Sequence, residues 1–268
     1  MRHALRTLGI AAAASLLAFA SPATACGEDT DCAVEGGTYR IHLPEGGTPD
    51  GAIFFAHGYR GTAGGTMRNE RLVGLADDLD VALVALQSAE EDWTLPNSPN
   101  AGRVPQRDEV AYVLRVKDDV VTRFGIDPDR MLFAGFSAGG MLTWTVACSA
   151  GDVFFAFVPL SGTFWKTPPD RCDTDAAITH YHGTSDTVVP IEGRAIGPTR
   201  QGDMNDVIAM YRADRGLSAP VRVEATGLEC TRWPGPPELG TYLEYCTHPG
   251  GHRFSVDYIR RIWERDLP

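Results

Sequence analysis

An α/β fold, with a mostly parallel central sheet and helices on both faces, is predicted for this chain of 268 residues by three observations. Short apolar runs alternate with helical patterns along the chain. The runs are bounded by Gly, Pro or Asp and lack polar alternation, as buried parallel strands do. No repeat, low-complexity tract or Ser/Thr-rich linker breaks the alternation, so a single domain over 26–268 is expected.

The elements follow in order. Strands are expected at 53–56, 81–86, 131–134, 154–160 and 178–181. Between the second and third, Asp108 is placed as an N-cap, and Val110, Val113, Leu114, Val116, Val120, Val121 and Phe124 recur mostly three or four residues apart until Gly125. That spacing predicts a helix. Further helices are expected at 138–149, 204–215 and 256–264, and a strand at 241–245.

Composition narrows the class. The chain is 43% hydrophobic and 22% charged, ordinary for a globular protein. A formal net charge of −11 argues against nucleic acid as a partner, since phosphate-backbone affinity rests on clustered Lys and Arg. Residues 1–25 read as a secretory signal peptide. Arg2 and Arg6 form a positive start, 8–20 is apolar, and Ala23-Thr24-Ala25 supplies a small-residue cleavage site before Cys26. The apolar run is shorter than the ~20 residues needed to cross a bilayer, so no membrane span is expected. Lipid on Cys26 is not favoured either, because Ala23 stands where lipoprotein signals carry Leu.

Export gives the six cysteines their meaning, because an oxidising compartment favours disulfides over thiols. Sequence proximity pairs Cys26 with Cys32, Cys148 with Cys172, and Cys230 with Cys246. No C-x2-C pair or Cys-His cluster has zinc-ligand spacing, so no metal site is expected.

The strongest chemical signal is Gly135-Phe136-Ser137-Ala138-Gly139, between an expected strand and an expected helix. A sharp turn there lifts a serine hydroxyl to the mouth of the sheet, with glycines on either side to admit neighbouring backbone. A serine needs a histidine to take its proton and an acid to hold that histidine's tautomer. Of the histidines after Ser137, His252 lies in the Gly-rich turn His248-Pro249-Gly250-Gly251-His252 and is the expected base, whereas His248 is expected to be structural. Asp186 in His182-Gly183-Thr184-Ser185-Asp186 follows a strand and is the expected acid. Two amides must face the oxyanion, and Tyr59, in His57-Gly58-Tyr59-Arg60-Gly61, together with Ala138 would supply them. Tyr59's ring is also available as a pocket wall, and His57 is expected to be structural.

These motifs, in this order and spacing, resemble the secreted polyhydroxybutyrate depolymerase and feruloyl esterase family of α/β-hydrolases. Glu35-Gly36-Gly37, Trp93 and Arg107-Asp108-Glu109-Val110 add to the resemblance, which spans nearly the whole of 26–268. It implies an α/β-hydrolase fold and cofactor-free hydrolysis of hydroxyalkanoate, ferulate or acetyl esters through an acyl-enzyme. Family enzymes that attack solid polymer carry an additional binding module, and none is expected here. Trp93 and Trp165 are candidate substrate contacts, and Glu90-Glu91-Asp92 reads as a solvated acidic loop. The partner expected is therefore an ester substrate. A non-catalytic polymer-binding protein and a serine peptidase on the same scaffold are the competing readings.

Overall fold

The structure, a computed structural model, describes residues 26–103 and 106–267. The expected signal peptide lies outside the described residues. The chain enters through an antiparallel pair, β1 (Cys32–Val34) and β2 (Gly37–His42), then runs β3 (Ala52–Ala56), α1 (Ala63–Met67), α2 (Glu70–Leu79) and β4 (Ala82–Leu86). α3 (Glu109–Phe124) leads to β5 (Met131–Phe136), α4 (Ala138–Ser149), β6 (Ala156–Leu160) and β7 (Ala177–Gly183). A small hairpin, β8 (Ala195–Ile196) with β9 (Thr199–Arg200), precedes α5 (Met204–Asp214). β10 (Val221–Val223), β11 (Glu229–Pro234), β12 (Tyr242–His248) and α6 (Val256–Asp266) complete the order.

Ten strands form one sheet in the order β1-β2-β4-β3-β5-β6-β7-β12-β11-β10. The six central strands, β4 to β12, are parallel, and both edges are antiparallel. The chain leaves β3 toward one side and returns at β5 on the other. In such sheets the crevice for a ligand opens beyond the carboxyl ends of the strands flanking that reversal.

Alternation along the strands divides the core in two. Phe54 and Ala56 face α3, α4 and α5, whereas Ile53 and Phe55 face α1, α2 and α6. α3 is built as its spacing predicts: the Asp108 carboxylate accepts from Ala111 N at 3.0 Å, Val113, Val116 and Val120 are buried, and Gly125 closes the helix at φ 69°. The expected strand over 154–160 starts later, at Ala156. Phe154 instead sets its ring edge-on to Phe54, Phe133 and Phe157, which takes it out of the ladder and into the helix-side core.

Three disulfides are present, with the expected pairing: Cys26 to Cys32, Cys148 to Cys172 and Cys230 to Cys246. No described helix is long and apolar enough to cross a membrane.

Candidate active site

Ser137 sits between β5 and α4 at φ 58° and ψ −116°, a conformation unfavourable for any residue with a Cβ. The surroundings hold it there. Its amide donates to Leu160 O at 2.8 Å, and its carbonyl accepts from Met141 N at 3.0 Å. A Cβ on Gly135 would meet Gly139 O at 2.3 Å, and one on Gly139 would meet Ala56 O at 1.9 Å. Only glycine at these two positions lets β3, β5 and α4 converge beneath the serine.

Asp186 and His252 are brought together by two loops that zip along each other. Thr184 N donates to His248 O at 2.9 Å and Ser185 N to Gly250 O at 3.1 Å, so the turns after β7 and β12 advance as a pair. His252 Nδ1 lies 2.7 Å from Asp186 Oδ2, and Asp186 Oδ1 accepts from the Val188 and Val189 amides at 2.8 and 2.9 Å. A carboxylate oxygen accepts, so Nδ1 is the nitrogen that donates in this contact and Nε2 is the one left to face away from Asp186. The ring of Phe136, the residue before Ser137, packs on His252 with centroids 4.7 Å apart. Ser137 Oγ and His252 are not hydrogen-bonded among the described residues, an arrangement common in hydrolases before substrate binds.

The loop after β3 reaches the same place. A Cβ on Gly58 would lie 3.4 Å from Ser137 Cβ, and the Tyr59 and Ala138 amides have no hydrogen-bond partner among the described residues. Tyr59's ring is 54% exposed, its hydroxyl donating to Glu91 at 3.2 Å and its face covered by Arg60.

A cavity of about 420 Å³ runs along α4, lined among others by Leu95, Met141, Thr145, Phe164, Trp165 and Arg171, with none of Ser137, Tyr59, Ala138, Asp186 and His252 in its wall. Trp165 is part of this wall. Trp93 is not. It is wholly buried, and its Nε1 donates to His57 O at 2.9 Å, so it belongs to the support of the 57–61 loop rather than to the cavity wall. The solvated reading of Glu90-Glu91-Asp92 also needs correction at its last residue. Asp92 is buried, accepts from Trp93 N, and has its pKa pushed up to about 6, by burial first and by Glu109 second.

His248 is structural in its contacts, its Nδ1 accepting from Gly250 N at 3.0 Å. His182 is a neighbour that the motif reading passed over. Its Nε2 lies 2.7 Å from Val189 O and 3.6 Å from Asp186 Oδ2, and burial holds its pKa below the usual histidine value. The signal was available, since His180 and His182 are two apart on one strand and so share a face; their rings meet at 2.9 Å. The group of possible metal ligands among the described residues, Cys230, Glu244 and Cys246, has both sulfurs joined in a disulfide and Glu244 paired with Arg232, Arg261 and Arg265.

A solved phospholipase/carboxylesterase from Dyadobacter fermentans superposes with a TM-score of 0.57 over 86% of this chain and 96% of that one, at 17% identity. This chain has the α/β-hydrolase fold. Residues 115–197, which carry the elbow and Asp186, match the family model described as Phospholipase/Carboxylesterase. Feruloyl esterase C of Emericella nidulans is 28% identical over 166 residues, 60% of this α/β-hydrolase chain and 58% of the relative. NocK of Nocardia uniformis subsp. tsuyamanensis, provisionally named an esterase, is 27% identical over 165 residues, 60% of this chain and 48% of its own. The chain thus spans about half the length of these curated relatives.

Proposed function

We propose that the protein is an exported serine esterase that hydrolyses carboxylic esters through Ser137, His252 and Asp186. The observation that carries the reading is the 2.7 Å contact of His252 Nδ1 with Asp186 Oδ2 beside a serine held at φ 58°. In this reading Ser137 Oγ attacks the ester carbonyl while His252 Nε2 takes its proton. Asp186 keeps the proton on Nδ1 and stabilises the imidazolium. The Tyr59 and Ala138 amides receive the oxyanion. Collapse expels the alcohol, protonated by His252, and a water activated by the same imidazole then releases the acid from the acyl-enzyme.

The relatives name feruloyl esters as candidate substrates, and the resemblance adds acetyl and hydroxybutyrate esters. The cavity along α4, with Trp165 and Phe164 in its wall, is the proposed seat of the acyl or alcohol group. The three disulfides support an oxidising compartment, and with it export directed by residues 1–25.

The test is hydrolysis of p-nitrophenyl acetate by the 26–268 protein. Ser137→Ala should remove activity, and Asp186→Asn should lower kcat by about 10³ to 10⁴ by releasing the wrong tautomer. Full activity in Ser137→Ala would refute the reading. Methyl ferulate, acetylated xylan, hydroxybutyrate oligomers and amorphous polyester, compared by kcat/KM, would then identify the acyl group.

A further inference from the structure

We propose that His57 and Trp93 are positioning residues that aim the Tyr59 amide, with His57 serving as a neutral imidazole strut between the 57–61 loop and the loop after β4. The inference rests on the reading of Tyr59 and Ala138 as oxyanion donors.

The argument begins with one peptide plane. The Gly58 carbonyl and the Tyr59 N–H belong to the same trans peptide unit, so fixing the first fixes the direction of the second. Two donors hold that carbonyl: Gly61 N at 2.9 Å and His57 Nδ1 at 2.8 Å. A carbonyl can only accept, so Nδ1 carries the proton. On the other side of the ring, Nε2 accepts from Ser88 N at 3.3 Å and must be bare. Both nitrogens are thus committed to one neutral tautomer. A second proton on Nε2 would set N–H against N–H.

The strut is itself braced. Trp93 Nε1 donates to His57 O at 2.9 Å, and the two rings pack with centroids 4.8 Å apart. Gly61 closes over the imidazole so tightly that a Cβ there would lie 2.8 Å from it. Behind Trp93 stands Arg107, which bonds Glu109 Oε2 at 2.9 and 2.6 Å and Gln87 O at 3.0 Å, while Glu109 Oε1 accepts from Thr94 N at 2.8 Å. At the rim, Arg60 N donates to Glu91 O at 2.7 Å. The ionisable groups facing the strut are therefore Arg107, Glu109 and Asp92 inside and Arg60 and Glu91 outside. Burial first, then Arg107, hold the His57 pKa below the usual value against the opposing pull of the Gly58 carbonyl, so the ring stays neutral where an esterase works.

The experiment compares three variants on p-nitrophenyl acetate. His57→Leu removes the Nδ1 donor and should lower kcat about ten- to a hundredfold with KM moving less than about threefold, because the lost interaction matters only when the oxyanion forms. His57→Asn, whose Nδ2 can donate where Nδ1 did, should recover most of that loss. Trp93→Phe, which keeps a ring but removes the indole N–H, should lower kcat about three- to tenfold. Nitrogen NMR of the wild type reads the tautomer without any variant: Nδ1 protonated and Nε2 bare across the active pH range. Unchanged kcat in His57→Leu with only a lower melting temperature, equal loss in His57→Asn, or the opposite tautomer would overturn the proposal alone. A wild type inactive on every ester would overturn the esterase reading and this inference together.

Discussion

Asp92 is an acid enclosed by its neighbours, with the Trp93 amide on one oxygen and Glu109 close enough to raise its pKa. Its pKa, moved from 3.8 to about 6, makes the folded state hold the proton more tightly than the unfolded chain does. Ionisation therefore erodes stability as pH rises through that interval, and the cost is complete above about 6, at up to ~3 kcal/mol. Asp92→Asn keeps the acceptor for Trp93 N and removes the charge. It should melt higher than wild type at pH 7, with the gain gone at pH 4. A difference in melting temperature that does not change with pH would contradict this account. Nothing in Glu90-Glu91-Asp92 separates the buried acid from its exposed neighbours; the distinction arises because Trp93 is drawn under the loop and takes Asp92 with it. Ser137, Asp186 and His252 could be proposed as a triad from the sequence for the opposite reason. Each sits in a short Gly-bearing motif whose turn is dictated locally, and the structure sets the acid against the base while leaving the serine unbonded to it.

Between residues 148 and 172 the chain leaves α4, crosses the sheet as β6 and returns to the helix through a disulfide. The returning loop carries Phe164 and Trp165 into the wall of the cavity along α4, and Cys148 lines the same space. In the chain-entropy picture a closure of 24 residues contributes about 3 kcal/mol. Replacing both cysteines with serine should lower the melting temperature and raise KM, with kcat changing less, because the elbow itself is held by Leu160 and Met141. A loss confined to kcat would count against this placement of the substrate. At this scale the sequence announces strongly apolar strands and the amphipathic α3. It conceals the edges. β1, β2, β10 and β11 alternate or expose their side chains, and α1 contains Gly64 and Gly65, poor helix formers stabilised by the Thr62 cap on Gly65 N.

Across the whole molecule, burial falls steeply from centre to rim. β3, β4 and β6 are buried at every residue, whereas β10 presents Val221 and Arg222 to solvent. Native-state hydrogen exchange should follow that gradient, slowest in β3, β5 and β6 and fastest in β10. Early protection of β10 would contradict it. The site lies over the slow region, since Ser137 follows β5 and the 57–61 loop follows β3. The parallel sheet was legible because a strand buried on both faces needs an unbroken apolar run. The convergence of 57–61, 137, 186 and 252 was expected from the order of the motifs and the family resemblance rather than from any local pattern, since it depends on strand order, and strand order is decided by crossovers.

Each disulfide joins a cysteine to the next one along the chain, at separations of 6, 24 and 16 residues. Such a pattern suits a chain that enters an oxidising compartment N-terminus first. In such a chain Cys26 would meet Cys32 while every other thiol was still far behind, and each later pair would be complete before the next cysteine arrived. Loop closure is also easier over these short spans than over the longer ones that any mismatch requires. For a chain delivered in that way, order of appearance and nearness would both favour the observed connectivity over any mismatch.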